Sequence, residues 1–99
     1  MAQVIIAQSA IEDLNRIAEY IALVNEKAAK NLVSECLRNI ANLHLFPKIG
    51  SYPLELGNKI YRQLIVSPVR IFYRYEGSIV YVVHIFRMEM NITQDKIEN

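Results

Sequence analysis

Three arginines and a histidine interrupt the most strand-prone stretch of this sequence, VRIFYRYEGSIVYVVHIFR over residues 69–87. They are Arg70, Arg74, His84 and Arg87; Arg62 precedes them and Glu89 follows. A guanidinium grips a phosphate or carboxylate with two parallel hydrogen bonds. Arginines repeated among Phe72, Tyr81 and other apolar residues therefore point to one of two ligands. One is an acidic amphipathic peptide; the other is a nucleic-acid backbone. An imidazole adds a group able to move protons near neutral pH.

Whether these groups meet depends on strand parity. Glu76-Gly77 suits a two-residue hairpin turn, because Gly accepts the positive φ such turns need. That turn pairs Tyr75 with Ser78, Arg74 with Ile79, Phe72 with Tyr81 and Arg70 with Val83. Side chains alternate between faces. One face then carries Val69, Ile71, Tyr73, Val80, Val82, His84 and Phe86 and reads as core. The other carries Arg70, Phe72, Arg74, Ile79, Tyr81, Val83, Ile85 and Arg87. An apolar patch rimmed by arginine is the composition of an interface. By this parity His84 is a core histidine, and only a bulge after Val83 would reverse that.

The rest of the chain supplies the frame. Gln3–Gln8 reads as a short strand. Ser9 and Glu12 fit a capping box that opens a helix to about Val24, with Ile11, Leu14, Ile17, Ala18 and Ile21 on one face. Asn25 caps a second helix whose stripe is Ala29, Leu32, Val33, Cys36, Ile40 and Leu43, and which Pro47 ends. The short link between them makes an antiparallel helical hairpin. A turn-rich loop, residues 47–57, leads to three strands at about Lys59–Val66, Val69–Tyr75 and Ile79–Phe86. The expected fold is α+β: an N-terminal strand, a helical hairpin, then a three-stranded antiparallel meander, in one sheet covered on one face by the helices.

With 99 residues, 53% of them apolar, the chain is expected to form a single domain, residues 1–99, whose polar tail 88–99 is helical, frayed or disordered. No apolar run reaches the roughly 18–20 residues of a membrane span, so no membrane partner is expected. The start, MAQVIIAQ, lacks the basic region of a secretory signal. The single Cys36 has no internal disulfide partner and reads as a small buried hydrophobe in a reducing cytoplasm. His44, near the end of the second helix, reads as a helix-terminus cation or loop contact. One cysteine and two separated histidines make no metal site, and no glycine-rich phosphate loop is present, so no cofactor is expected. Net charge is only +1, but residues 58–87 carry about +4, the helical half about −1 and the tail about −2.

In order and spacing the chain resembles the RelE/ParE superfamily, the toxins of bacterial type II toxin–antitoxin modules. The resemblance rests on Ala10-Ile11-Glu12-Asp13-Leu14 with Ile17 and Tyr20-Ile21, then Pro47-x-x-Gly50, Arg62-x-Leu64 and Arg70-Ile71-x-Tyr73. It closes with Val82-Val83-His84-Ile85-Phe86-Arg87. It implies a cytoplasmic toxin of a plasmid-stabilisation system, held by a cognate antitoxin in a hetero-oligomer. ParE-like members poison DNA gyrase by binding; RelE-like members cut mRNA on the ribosome. Arg62, Arg70, Phe72, Arg74, Tyr81 and Arg87 would form the target- or antitoxin-binding surface. RNA cleavage needs a base, an acid and a cation for the phosphorane; Arg70, Arg87, His84 and Glu89 are the candidates, and no tyrosine follows Tyr81. The incomplete set and the two long helices favour the ParE-like branch. The chain is an enzyme only under the RelE-like reading, as an endoribonuclease. A non-toxic module whose sheet binds a partner peptide is the third reading.

Overall fold

A computed structural model describes residues 1–98. The order is β1 (Gln3–Ile6), α1 (Gln8–Ala22), α2 (Glu26–Asn42), a 3-10 turn (Leu54–Leu56), β2 (Arg62–Val66), β3 (Val69–Glu76), β4 (Ile79–Arg87) and α3 (Gln94–Glu98). The strands form one sheet in the order β1-β4-β3-β2. The meander β2-β3-β4 is antiparallel, and β1 joins it parallel to β4. This is the α+β arrangement expected from the periodicities.

Both helices bury one stripe. Ala10, Leu14 and Ile17 of α1 and Leu32, Cys36 and Ile40 of α2 pack on Val69, Ile71, Tyr73, Val80, Val82 and Ile85. At Asn25 the side chain accepts the Ala28 amide at 3.0 Å and so caps α2. The opening of α1 differs from expectation. It starts at Gln8 after Ala7, with no side-chain cap. Ser9 lies inside the helix, and its hydroxyl donates instead to the Val83 carbonyl at 2.6 Å. Ile11, expected in the stripe, is exposed. Pro47 does not end α2 either: the helix stops at Asn42, four residues earlier than the proline required.

The last hairpin turns at Gly77-Ser78, one residue later than expected, with Glu76 opposite Ile79. The cause is where glycine's freedom is spent. Gly77, at φ 62°, takes the first central position of the turn, and Ser78 the second. Arg74 therefore faces Tyr81. The register then shifts again: Tyr73 faces Val82 but Phe72 faces His84, leaving Val83 as an extra residue in β4. A bulge of this kind flips every side chain beyond it.

Candidate functional site

The bulge at Val83 re-sorts the residues singled out in the sequence. Beyond it, Ile85 and Arg87 pass to the helix-covered face, and His84 and Phe86 pass to the other. Arg70, Phe72, Arg74 and Tyr81 share that second face; Arg87 does not. Arg87 instead lies 5.4 Å from the Tyr20 ring of α1 and donates to Glu89 at 2.9 Å. The carboxyl of Glu89 is held below its ordinary range, first by its own backbone amide and then by Arg87. A carboxylate so held is a weak base.

Arg70 is not a free cation. It is 8% exposed, and its guanidinium donates to both carboxylate oxygens of Glu55, to the Gln63 side chain at 3.2 Å and to the Met90 carbonyl at 2.8 Å. Glu55 in turn accepts the Ile92 amide at 3.1 Å. The Arg70 hydrogen bond is the main cause that holds its carboxyl below the ordinary 4.5. The expectation of an exposed Arg70 is therefore corrected: it ties the 3-10 turn, β2, β3 and the C-terminal segment together.

Arg62 also carries structure. It donates to the carbonyls of Lys48 and Gly50 at 3.1 and 2.8 Å and to the Tyr52 hydroxyl at 2.8 Å. Its strand partner Tyr73 donates its hydroxyl proton to the Pro47 carbonyl and accepts the Gly50 amide. Burial pushes the Tyr73 phenol above its ordinary range. A Cβ on Gly50 would fall 2.7 Å from the Tyr73 ring. Pro47-x-x-Gly50, Arg62 and Tyr73, separate pieces of the pattern in the sequence, are thus one interlocked clamp that fixes the loop.

Around His84 the geometry is closer to chemistry. Its Nδ1 donates to Asp13 Oδ2 at 2.7 Å, and the same oxygen accepts the Ile85 amide at 3.0 Å. The ring stacks on Phe86, centroids 4.8 Å apart. His84, Tyr61, Arg74, Ser9 and Glu98 line one pocket of about 380 Å³. Arg74 is half-exposed, 4.6 Å over the Tyr81 ring, and paired with Glu76 at 2.9 Å. The earlier placing of His84 in the core is corrected by the bulge. Asp13 and Tyr61 went unread as site residues. Asp13 had a signal, since a carboxylate between Ala10, Leu14 and Ile17 on a buried stripe demands a partner.

The arginine-bearing face, read in the sequence as an interface, is covered. Tyr61, Phe72, Ile92 and Ile97 form a second small core with Leu56, Val83 and Phe86 against them. Two other surfaces stay open. Gln3 and Ala7 direct their amides to Ser78 and Val82, so Val4 and Ile6 direct their backbone groups to the free edge of β1. The outer seam of the helical hairpin holds two adjoining apolar grooves of about 600 and 270 Å³ that share Val33 and Leu37. Half-exposed Leu37 and Ile11 project there. Among the described residues, no group of His, Cys, Asp or Glu is placed to hold a metal, and no helix is long and apolar enough to cross a membrane. His44 meets the N-terminus, its Nδ1 2.7 Å from the Ala2 carbonyl.

Residues 4–92 match the family described as the ParE toxin of the type II toxin–antitoxin system, parDE. The chain belongs to the ParE toxin family. Among solved structures, one described as the chromosomal ParDE TA system from P. aeruginosa superposes with a TM-score of 0.73 at 18% identity, covering 90% of this chain and 98% of that one. At that identity the likeness is one of fold. No curated protein matches the chain significantly. The ParE family match takes in every piece of the resemblance from Ala10 to Arg87 and makes this chain a toxin-type member of a toxin–antitoxin system.

Proposed function

We propose that this ParE-family chain is a cytoplasmic toxin that inhibits DNA gyrase by binding it, and that a cognate antitoxin neutralises it in a hetero-oligomer. The observation that carries the reading is the open apolar surface of the hairpin seam beside the free edge of β1. A strand edge takes an added strand and an apolar groove takes an amphipathic helix, the two ways a wrapping segment docks. The catalytic candidates, by contrast, do not converge. Arg70 is consumed by Glu55, and Arg87 and Glu89 pair with each other away from His84. A toxin that works by binding needs no such convergence.

The test is induced expression in a bacterium, with gyrase-linked DNA breaks and mRNA cleavage scored in one culture. Breaks without mRNA cuts are expected. Normal growth with neither lesion would sink the toxin reading and leave a peptide-binding module.

One observation favours a second reading, the endoribonuclease. The bulge brings His84, backed by Asp13, into one pocket with Arg74 and Tyr61. A base beside a cation is part of what phosphodiester cleavage needs. Cut mRNA that disappears with Arg74→Ala, at unchanged folding, would support it.

A further inference from the structure

After β4 the chain doubles back across the sheet face that the helices leave uncovered. Residues 88–98 run over it and end in α3. The segment is polar, with Asn91, Thr93, Gln94, Asp95, Lys96 and Glu98, and only Ile92 and Ile97 are buried, 1% and 2% exposed. They sit on Phe72 and Tyr61, with Val83 and Phe86 alongside. The other ties are polar. Met90 and Ile92 are held by the Arg70–Glu55 pair, and Gln94 accepts from Asn58 at 3.1 Å. Beneath the segment, Arg70 Nε is buried without a partner.

Three features separate this cover from the main core. It is held by two aliphatic side chains and by polar bonds that water can replace. The other sheet face has its complete core under the helical hairpin without it. What it hides is aromatic and arginine-rich, the composition of binding hot spots. The charges match as well: an acidic segment lies on the basic half of the chain.

We propose that residues 88–98 are a displaceable strap over a docking surface made of Tyr61, Phe72, Val83 and Phe86 with Arg70 and Arg74 at its rim. The partner segment that replaces the strap has the strap's chemistry: acidic, with two β-branched aliphatic side chains five residues apart. The proposal rests on the reading that the protein acts by binding. Its test uses the purified chain, not growth, so the two fail separately.

The probe is a fluorescent peptide of the strap's own sequence, MEMNITQDKIE, added to the full-length chain. The resident strap competes with it, so apparent affinity falls with the fraction of chains that are open. Ile92→Ser with Ile97→Ser loosens the strap and should tighten peptide binding about tenfold or more over the unaltered chain. Asn58→Cys with Gln94→Cys allows a cleavable thiol-to-thiol crosslinker to lock the strap down; crosslinked, this variant should bind no peptide, and cleavage of the crosslinker should restore binding. Equal binding by the crosslinked and cleaved forms, or equal binding of a scrambled peptide, overturns the proposal. Hydrogen exchange on the unaltered chain keeps the test open if the serine variant does not fold. The Ile92 amide should exchange about a hundredfold faster than amides in the middle of β4. Exchange of both at one rate would make the strap part of the global fold and overturn the idea.

Discussion

Asp13 holds His84 and the backbone beside it with a single oxygen: Oδ2 accepts from the imidazole at 2.7 Å and from the Ile85 amide at 3.0 Å. The reason lies in the sheet. β1 ends at Ile6, opposite Val82, while β4 continues to Arg87. Past Val82, the edge of β4 has lost its strand partner. Helix α1 takes over, with Ser9 on the Val83 carbonyl and Asp13 on the Ile85 amide. Two side chains of one helix thus finish a strand ladder and seat the bulge that turns His84 outward.

Asp13→Ala should therefore cost about 2–4 kcal/mol, because it leaves a buried amide and a buried imidazole without their acceptor. Asp13→Asn keeps one acceptor oxygen and should cost about half as much. Urea denaturation of both variants measures this. A loss below about 0.5 kcal/mol for Asp13→Ala would mean that the helix does not sustain that edge.

The arginines should separate in stability. Arg87, with its side chain 38% exposed, should cost under about 0.5 kcal/mol on change to Ala. Arg70→Ala should cost about 3 kcal/mol, since it strands the Glu55 carboxylate and frees the Met90 carbonyl. The pH dependence follows from Glu55. Its carboxyl is lowered in the folded chain, so the stabilisation is complete above its ordinary 4.5 and is lost as pH falls below it. Arg70→Ala removes the main cause of that shift. Denaturation midpoints measured from pH 6 down to about pH 3 should fall less steeply for this variant than for the unaltered chain. Parallel curves would show that the pair is not linked to folding.

Gly50 is fixed by close approach, not by φ. Its missing Cβ is the space that the Tyr73 ring and the Gln63 carbonyl occupy, at 2.7 and 2.8 Å. Gly50→Ala must push the loop off β3 and break the bonds to the Tyr73 hydroxyl. The expected cost is about 2–3 kcal/mol. Tyr73→Phe removes the same hydroxyl without the clash and should cost about 1–2 kcal/mol. If Gly50→Ala is the milder of the two in thermal melts, the clamp is not where the loop is held.

Much of this frame was legible in the sequence, and the exceptions in the last hairpin share a cause. Asn25 as a cap, the stripe through Leu32 and Ile40, and the inward run Val69, Ile71, Tyr73, Val80 and Val82 follow from periodicity, which composition records. Position in a turn and an extra residue in a strand leave no such record. Moving the turn to Gly77-Ser78 and adding Val83 as a bulge changed neither a residue type nor a pattern before Val82. The turn's move left the face parity as it was; the bulge alone put His84 on the face away from the helices and Arg87 on the face toward them. The cover over Phe72 was unreadable for a different reason: Ile92 and Ile97 are isolated in a polar tail, and no period marks them.

The last prediction concerns Arg74, the half-exposed arginine that lines the His84 pocket. Its pair with Glu76 and its place over Tyr81 are at the surface, so Arg74→Ala should cost at most about 1 kcal/mol. Arg74→Glu should cost little more, but it reverses a charge on the basic half of the chain. If that half meets an acidic target, the reversal weakens binding by electrostatic mismatch, and more strongly at low salt. At equal soluble levels, Arg74→Glu should therefore inhibit growth less than Arg74→Ala, and Arg74→Ala less than the unaltered chain. Phosphodiester chemistry would give another order, because both variants remove the cation and both would abolish cutting alike. A graded loss supports docking; an all-or-none loss, with mRNA cleavage gone in both, supports catalysis. Undiminished inhibition by folded Arg74→Glu would place the working surface elsewhere, on the hairpin seam and the free edge of β1.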